Sequence, residues 1–270
     1  MSTEFARTRL LTLSFILSLA FLLSAGPSAQ ALTADQQAEE SARLTSMFNA
    51  RQEAKLDVQP TYTEPAERVT APNNTTDGIT HCGIATTRTA IWLTFDDSGT
   101  TSQIHSLLST LRRYNVRATF FPTGQFAVDR PDLITLMKNE GHIVGNHSYS
   151  HPDLMTLSAT GIRSEITRAD AAIKPYPSTR RVFRAPYGSG SYSSTLNSIL
   201  TAYNYQNCFW TVDTRDWAGT SASSMLSNIK ANTGPRGVIL FHMHGRYTPS
   251  VLPSAIEYLK TTGYGLPKLY

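Results

Sequence analysis

From about Thr89 onward, short apolar runs alternate with longer stretches whose apolar residues recur every three or four positions. Ala90-Ile91-Trp92-Leu93-Thr94-Phe95 is a continuous run of strand length and predicts a buried strand. Ile104, Leu107, Leu108 and Leu111 then share one side of a helix that starts near Thr101. Val116 to Phe121 is a second strand, and Asp129 with Pro131 is a helix-start signal ahead of Leu133, Ile134, Leu136 and Met137. His142 to Gly145 reads as a third strand, residues 159–173 as a long helix, and Arg181 to Arg184 as a fourth strand. A helix over about Ser194 to Tyr203, a strand from Asn207 to Val212, a helix near Ser221 to Ala231 and a strand from Gly237 to Phe241 follow. The chain ends in a helix from about Leu252 to Thr261 and a short strand closing at Tyr270. Repeated strand–helix units predict an α/β fold with parallel strands. About six or seven such units fit a distorted, incomplete (β/α) barrel, and are too few for an eight-fold one.

The first part of the chain has a different pattern. Arg7 and Arg9 precede an apolar run from about Leu10 to Ala25, and small residues follow up to Ala29-Gln30-Ala31. That arrangement is expected of a secretory signal peptide over residues 1–31, cleaved after Ala31. The alternative is a membrane anchor, but the run is shorter than the roughly 20 residues of a spanning helix. Residues 32–80 read as a polar helix over about Thr33 to Lys55 and a Pro-, Asn- and Thr-rich linker, which leaves 81–270 as the main domain. Export changes how Cys82 and Cys208 are read: one disulfide is expected, with two separate buried thiols as the alternative. The net charge of +4 is scattered, and no Lys/Arg run points to nucleic acid.

Candidate chemistry gathers at the strand ends. The first strand runs into Asp96-Asp97, the third into Asn146-His147 with His151 close behind, and the fourth into Arg184-Ala185-Pro186-Tyr187. The next leads to Asp213-Thr214-Arg215-Asp216-Trp217, and the sixth to His242-Met243-His244. In barrel folds the C-terminal strand ends share one rim, and that rim carries the active site. Taken singly, each cluster has a plainer reading. An Asp pair is a solvated turn, Asp216 an ordinary loop acid beside a packed indole, and Pro186-Tyr187 a turn. Together they supply two histidines and a carboxylate around one point, the ligand set of a catalytic rather than a structural zinc site. His81, His105 and His142 read as surface or structural residues, and His244 has no assigned role.

These residues resemble the motifs of the polysaccharide deacetylases of the NodB-homology type, carbohydrate esterase family 4. The motifs occur in order as Thr94-Phe95-Asp96-Asp97, His147-Ser148-Tyr149-Ser150-His151, Arg184-Ala185-Pro186-Tyr187, Asp213-Thr214-Arg215-Asp216-Trp217 and Leu240-Phe241-His242. The resemblance implies a single divalent ion, usually zinc, held by Asp97, His147 and His151. It implies Asp96 as the general base toward the attacking water, and His242 as the acid that protonates the leaving amine. Arg184 would hold Asp96, Asp216 would pair the His242 imidazolium, and the Tyr187 backbone N–H would steady the oxyanion. Tyr187 and Trp217 would wall the substrate groove. Two positions depart from the family pattern: Ser98 precedes Gly99 where glycine usually follows the Asp pair, and Met243 stands where Asp usually follows the histidine. Both are expected on the rim, where they bear on substrate placement.

The function expected is a secreted or cell-envelope hydrolase that removes N-acetyl groups from a polysaccharide such as chitin oligomers or peptidoglycan. An O-acetyl xylan esterase would use the same site. A non-catalytic cell-wall glycan-binding protein is the reading from another class, and it has no need of the base–acid pair Asp96 and His242.

Overall fold

The computed structural model describes residues 89–175 and 180–269. The 1–31 leader, the 32–80 extension and Cys82 lie outside the described residues. Strand β1 (Trp92–Asp97) shows how the layers are built. Ile91, Leu93 and Phe95 enter the larger apolar core, whereas Trp92 joins Phe121, Ile143, Val182, Cys208 and Val238 in a separate cluster. Successive strand side chains point to opposite faces, so one face packs against helices and the other lines the interior.

The remaining strands are β2 (Thr119–Pro122), β3 (Ile143–Val144), β4 (Val182–Phe183), β5 (Gln206–Asn207), β6 (Val212–Asp213) and β7 (Val238–His242). Their pairings are all parallel among the described residues. Five form a sheet in the order β3-β2-β1-β7-β6, and β4-β5 form a second, two-stranded one. An isolated bridge from Asn146 to Phe183 carries the curve from β3 to β4. The strands therefore follow one another around a barrel that stays open between β5 and β6 among the described residues. Phe95 lies at the centre of the outer face, stacked on Phe120 at 5.0 Å and Phe241 at 5.4 Å.

Seven α-helices accompany the described strands: α1 (Thr101–Arg113), α2 (Gly124–Asp129), α3 (Pro131–Asn139), α4 (Ala159–Ile173), α5 (Ser194–Ala202), α6 (Ala222–Asn232) and α7 (Thr248–Thr261). A capping box at Thr100 and Gln103 starts α1. The Gln103 amide also donates to the His244 carbonyl at 2.9 Å, which ties the start of this helix to the chain just after β7.

Three expectations need correction. The predicted strand from Asn207 to Val212 is two strands, β5 and β6, in different sheets. Between them Phe209 and Trp210 stack at 4.2 Å while the chain changes partners, from the Phe183 carbonyl at Cys208 to the Val238 carbonyl at Thr211. Asp129 does not start a helix; it ends α2, a helix the periodicity missed, and Pro131 alone opens α3. The closing strand is reduced to a bridge between Ala90 and Gly265 among the described residues.

Candidate active site

Strand alternation decides which groups arrive at the C-terminal rim. Asp96 shares the interior face with Trp92 and Thr94, and it is buried to 2%. The fully buried Arg184, one residue past β4, meets it there. Its Nη1 donates to Asp96 Oδ1 at 2.8 Å and to Thr94 Oγ1 at 2.8 Å, and its Nε donates to the Cys208 carbonyl at 3.1 Å. The guanidinium also lies over the Phe121 ring at 4.5 Å. A carboxylate held in this way keeps one orientation, with its second oxygen left for the cavity.

Asp97 leaves the strand in a left-handed backbone conformation, φ 74°, uncommon for a non-glycine residue. Its Oδ1 lies 3.1 Å from His147 Nε2 and 3.2 Å from His151 Nε2. The other ring nitrogens are already engaged. His147 Nδ1 donates to the Arg184 carbonyl at 2.8 Å. Tyr187 Oη donates to the His151 carbonyl at 3.0 Å, so it accepts from His151 Nδ1 at 2.8 Å. Each neutral imidazole therefore carries its proton on Nδ1 and turns an Nε2 lone pair toward Asp97. Asp97 Oδ1 is buried without a hydrogen-bond partner. One oxygen and two nitrogens, all acceptors and all within 4.8 Å of one another, fit a cation placed between them.

The opposite wall comes from β7 and the turn after β6. His242 Nδ1 donates to Asp216 Oδ1 at 2.7 Å, and the His242 backbone N–H donates to Asp216 Oδ2, also at 2.7 Å. The Trp217 N–H and the Thr248 hydroxyl complete the cradle around Asp216. Burial disfavours the His242 cation, but the adjacent Asp216 carboxylate outweighs it and raises the imidazole to about 10. Burial likewise opposes the charge on Asp216, and His242 overrides it, lowering that carboxyl. His242 Nε2 faces the cavity 3.9 Å from Asp97 Oδ2.

The structure thus gathers Asp96, Asp97, His147, His151, Arg184, His242 and Asp216 at one rim. Tyr187, in a left-handed turn at φ 59°, and the half-buried Trp217 flank it. The Tyr187 hydroxyl has a role that sequence reading missed, since it orients His151. His244 also enters the site, with Nδ1 3.7 Å from Asp97 Oδ2, although nothing in its spacing distinguished it from a loop residue. Met243 is corrected. It is fully buried in the main core rather than on the rim, because it continues the face of Phe241 two residues earlier. Its carbonyl also explains Gly99, where a Cβ would come within 2.9 Å of that oxygen.

Parallel strands that curve into an open barrel, with carboxylates and imidazoles converging at their C-terminal ends, define a barrel-like α/β protein with a candidate catalytic rim. The family model described as polysaccharide deacetylase matches residues 83–208. A chitooligosaccharide deacetylase of Sinorhizobium fredii is 35% identical over 57% of this chain and 71% of its own length. A peptidoglycan-N-acetylglucosamine deacetylase of Bacillus cereus is 35% identical, and the match spans 63% of each protein. Among solved structures, a family 4 carbohydrate esterase from Streptomyces lividans in complex with acetate aligns with a TM-score of 0.60 and 34% identity, covering 65% of this chain and 90% of that one. A family 4 pseudoenzyme from Bacillus anthracis aligns with a TM-score of 0.63 and 26% identity, covering 67% of this chain and 63% of that one. This chain belongs to the polysaccharide deacetylase family, carbohydrate esterase family 4.

Proposed function

We propose that the chain is an exported, divalent-metal-dependent deacetylase that hydrolyses N-acetyl groups of a polysaccharide such as chitin oligomers or peptidoglycan. The single observation that carries this reading is the acceptor-only cluster of Asp97 Oδ1, His147 Nε2 and His151 Nε2, set between a held carboxylate and a held imidazolium. Family membership alone does not decide for turnover, since a pseudoenzyme shares the fold. A glycan-binding protein would have no use for both Asp96 and His242 in these settings.

Asp97, His147 and His151 would hold the ion, with zinc the best match to two imidazoles and one carboxylate. Such an ion supplies Lewis acidity, polarising the acetyl carbonyl and easing deprotonation of water. The chain's own groups do the rest. Asp96, fixed by Arg184, takes a proton from the attacking water as its oxygen bonds to the carbonyl carbon. The Tyr187 backbone N–H steadies the negative charge that develops on the carbonyl oxygen. His242, kept charged by Asp216, gives its proton to the nitrogen as the C–N bond breaks, because an amine leaves poorly unprotonated. Acetate and a free amino sugar result. Tyr187 and Trp217 border the groove that receives the sugar.

Export would rest on the 1–31 leader, and in that compartment Cys82 and Cys208 would pair as a disulfide. The deciding experiment measures acetate release by the mature chain from chitooligosaccharides, peptidoglycan and acetylated xylan, with zinc and with a chelator. Chelator-sensitive release from the first two is expected. A preference for xylan would shift the assignment to ester cleavage, and glycan binding without any release would replace the hydrolase with a binding protein.

A further inference from the structure

The stretch from Ser148 to His151 forms neither helix nor strand, so its backbone N–H groups find no partners in a regular ladder. Side chains accept all of them. Asn146 Oδ1 accepts from Ser148 N–H at 3.0 Å, and Ser148 Oγ accepts from His151 N–H at 3.0 Å. The two between, at Tyr149 and Ser150, donate to the same oxygen, Glu165 Oε2, at 2.9 and 2.8 Å. Glu165 Oε1 accepts a third bond from the Ser150 hydroxyl at 2.9 Å. Glu165 lies on α4, fourteen residues beyond His151, and it is buried to 7%.

The loop is also under conformational load. Ser148 and His151 both sit in the left-handed region, at φ 64° and 60°. Residues in that region persist where surrounding contacts over-determine them. Arg168, one turn further along α4, covers the Tyr149 ring at 3.7 Å and lies 3.7 Å from Glu165 Oε1. The loop carbonyls of Ser148 and Tyr149 accept from the first N–H groups of α2. Without Glu165, two N–H groups between the histidines would lose their acceptor, and nothing else described on α4 replaces it.

We propose that Glu165 is a positioning residue of the metal site: by clamping the Tyr149–Ser150 backbone it makes His147 and His151 converge, and so sets the affinity for the ion. The inference rests on the reading of Asp97, His147 and His151 as metal ligands. It goes beyond that reading by assigning metal affinity to a residue that touches neither metal nor substrate. Groups that orient first-rank ligands are worth about 10- to 100-fold in metal affinity when removed.

The test is zinc affinity of the apo mature chain, measured by competition with a chromophoric chelator at a temperature where circular dichroism shows each variant folded. Glu165→Met keeps much of the volume but offers no oxygen acceptor, and a loss of about 10-fold is expected; Glu165→Ala is expected to lose up to about 100-fold. Leu108→Ala, on the core face of α1, controls for general loss of stability and is expected to bind zinc as the parent does. Folded Glu165 variants with unchanged affinity would overturn the proposal, as would an equal loss in Leu108→Ala. If Glu165→Ala does not fold, Glu165→Met carries the test alone. A parent chain that binds no zinc would sink the metal reading itself, and this inference with it, so the two failures are distinct.

Discussion

At the scale of single residues, the adjacent carboxylates Asp96 and Asp97 separate by direction. The first points inward to Arg184, and the second turns at a left-handed residue toward two imidazoles. Their substitutions should therefore differ in kind. Asp97→Ala is expected to lose bound zinc and activity together. Asp96→Asn should retain zinc and lose about 100- to 10 000-fold in kcat, the range of a general base. Parallel metal analysis and acetate assays check this, and an Asp96→Asn enzyme with full turnover would remove Asp96 from the base role. Asp216→Asn tests the other wall. In the proposed mechanism the imidazolium of His242 is the acid, so activity would fall as pH rises through its pKa. Without the carboxylate that pKa drops, and the alkaline limb of kcat/KM should move down by at least about one pH unit. An unmoved limb would mean that another group supplies the proton.

At the scale of elements, the β3–β4 junction is held by little backbone pairing. Each strand is two residues long, and a single bridge joins them. Gly145 lies in that junction, where a Cβ would come within 2.6 Å of the Phe121 ring and 2.9 Å of the Val182 carbonyl. The carbonyl is backbone and cannot step aside. Gly145→Ala is expected to cost about 1–3 kcal/mol in denaturant unfolding, as an overpacking change. It should also lower zinc affinity, because Asn146 and His147 follow directly. Sequence periodicity found α1 and α4 readily, since thirteen and fifteen residues give several turns of pattern. It missed α2, whose six residues make fewer than two turns. It also merged β5 with β6, because an apolar run reports burial and does not report which sheet a residue joins.

For the molecule as a whole, the buried His142 links pH to stability. Its Nδ1 accepts from the Ala118 N–H at 3.2 Å, and burial, with the nearby Arg117 cation, lowers its pKa to about 3. Between about 3 and the ordinary 6.5, the unfolded chain binds a proton at this residue that the folded chain does not. Stability is then complete above 6.5 and falls as pH drops, by up to about 1.4 kcal/mol per pH unit from this group. Urea unfolding of the metal-free protein from pH 7 to pH 4 should show the decline, and His142→Gln should flatten it. An equal decline in that variant would assign the effect to other groups.

The sequence alone determined the longer elements and which reactive groups lie just past a strand. Apolar runs, helical spacing and the position of each polar cluster just past a strand are local properties, readable without neighbours. That is why Asp96, Asp97, His147, His151, Arg184, Asp216 and His242 could be picked out as candidates, with their separate roles supplied by the family resemblance. Only the tertiary structure decided how those groups are held. Glu165 meets the histidine loop from another helix, Arg184 reaches Thr94 and Asp96 across the barrel interior, and the Tyr187 hydroxyl turns onto His151. These contacts join residues far apart in sequence, and their direction depends on strand register and backbone hand, which no pattern of residue types along a single chain records.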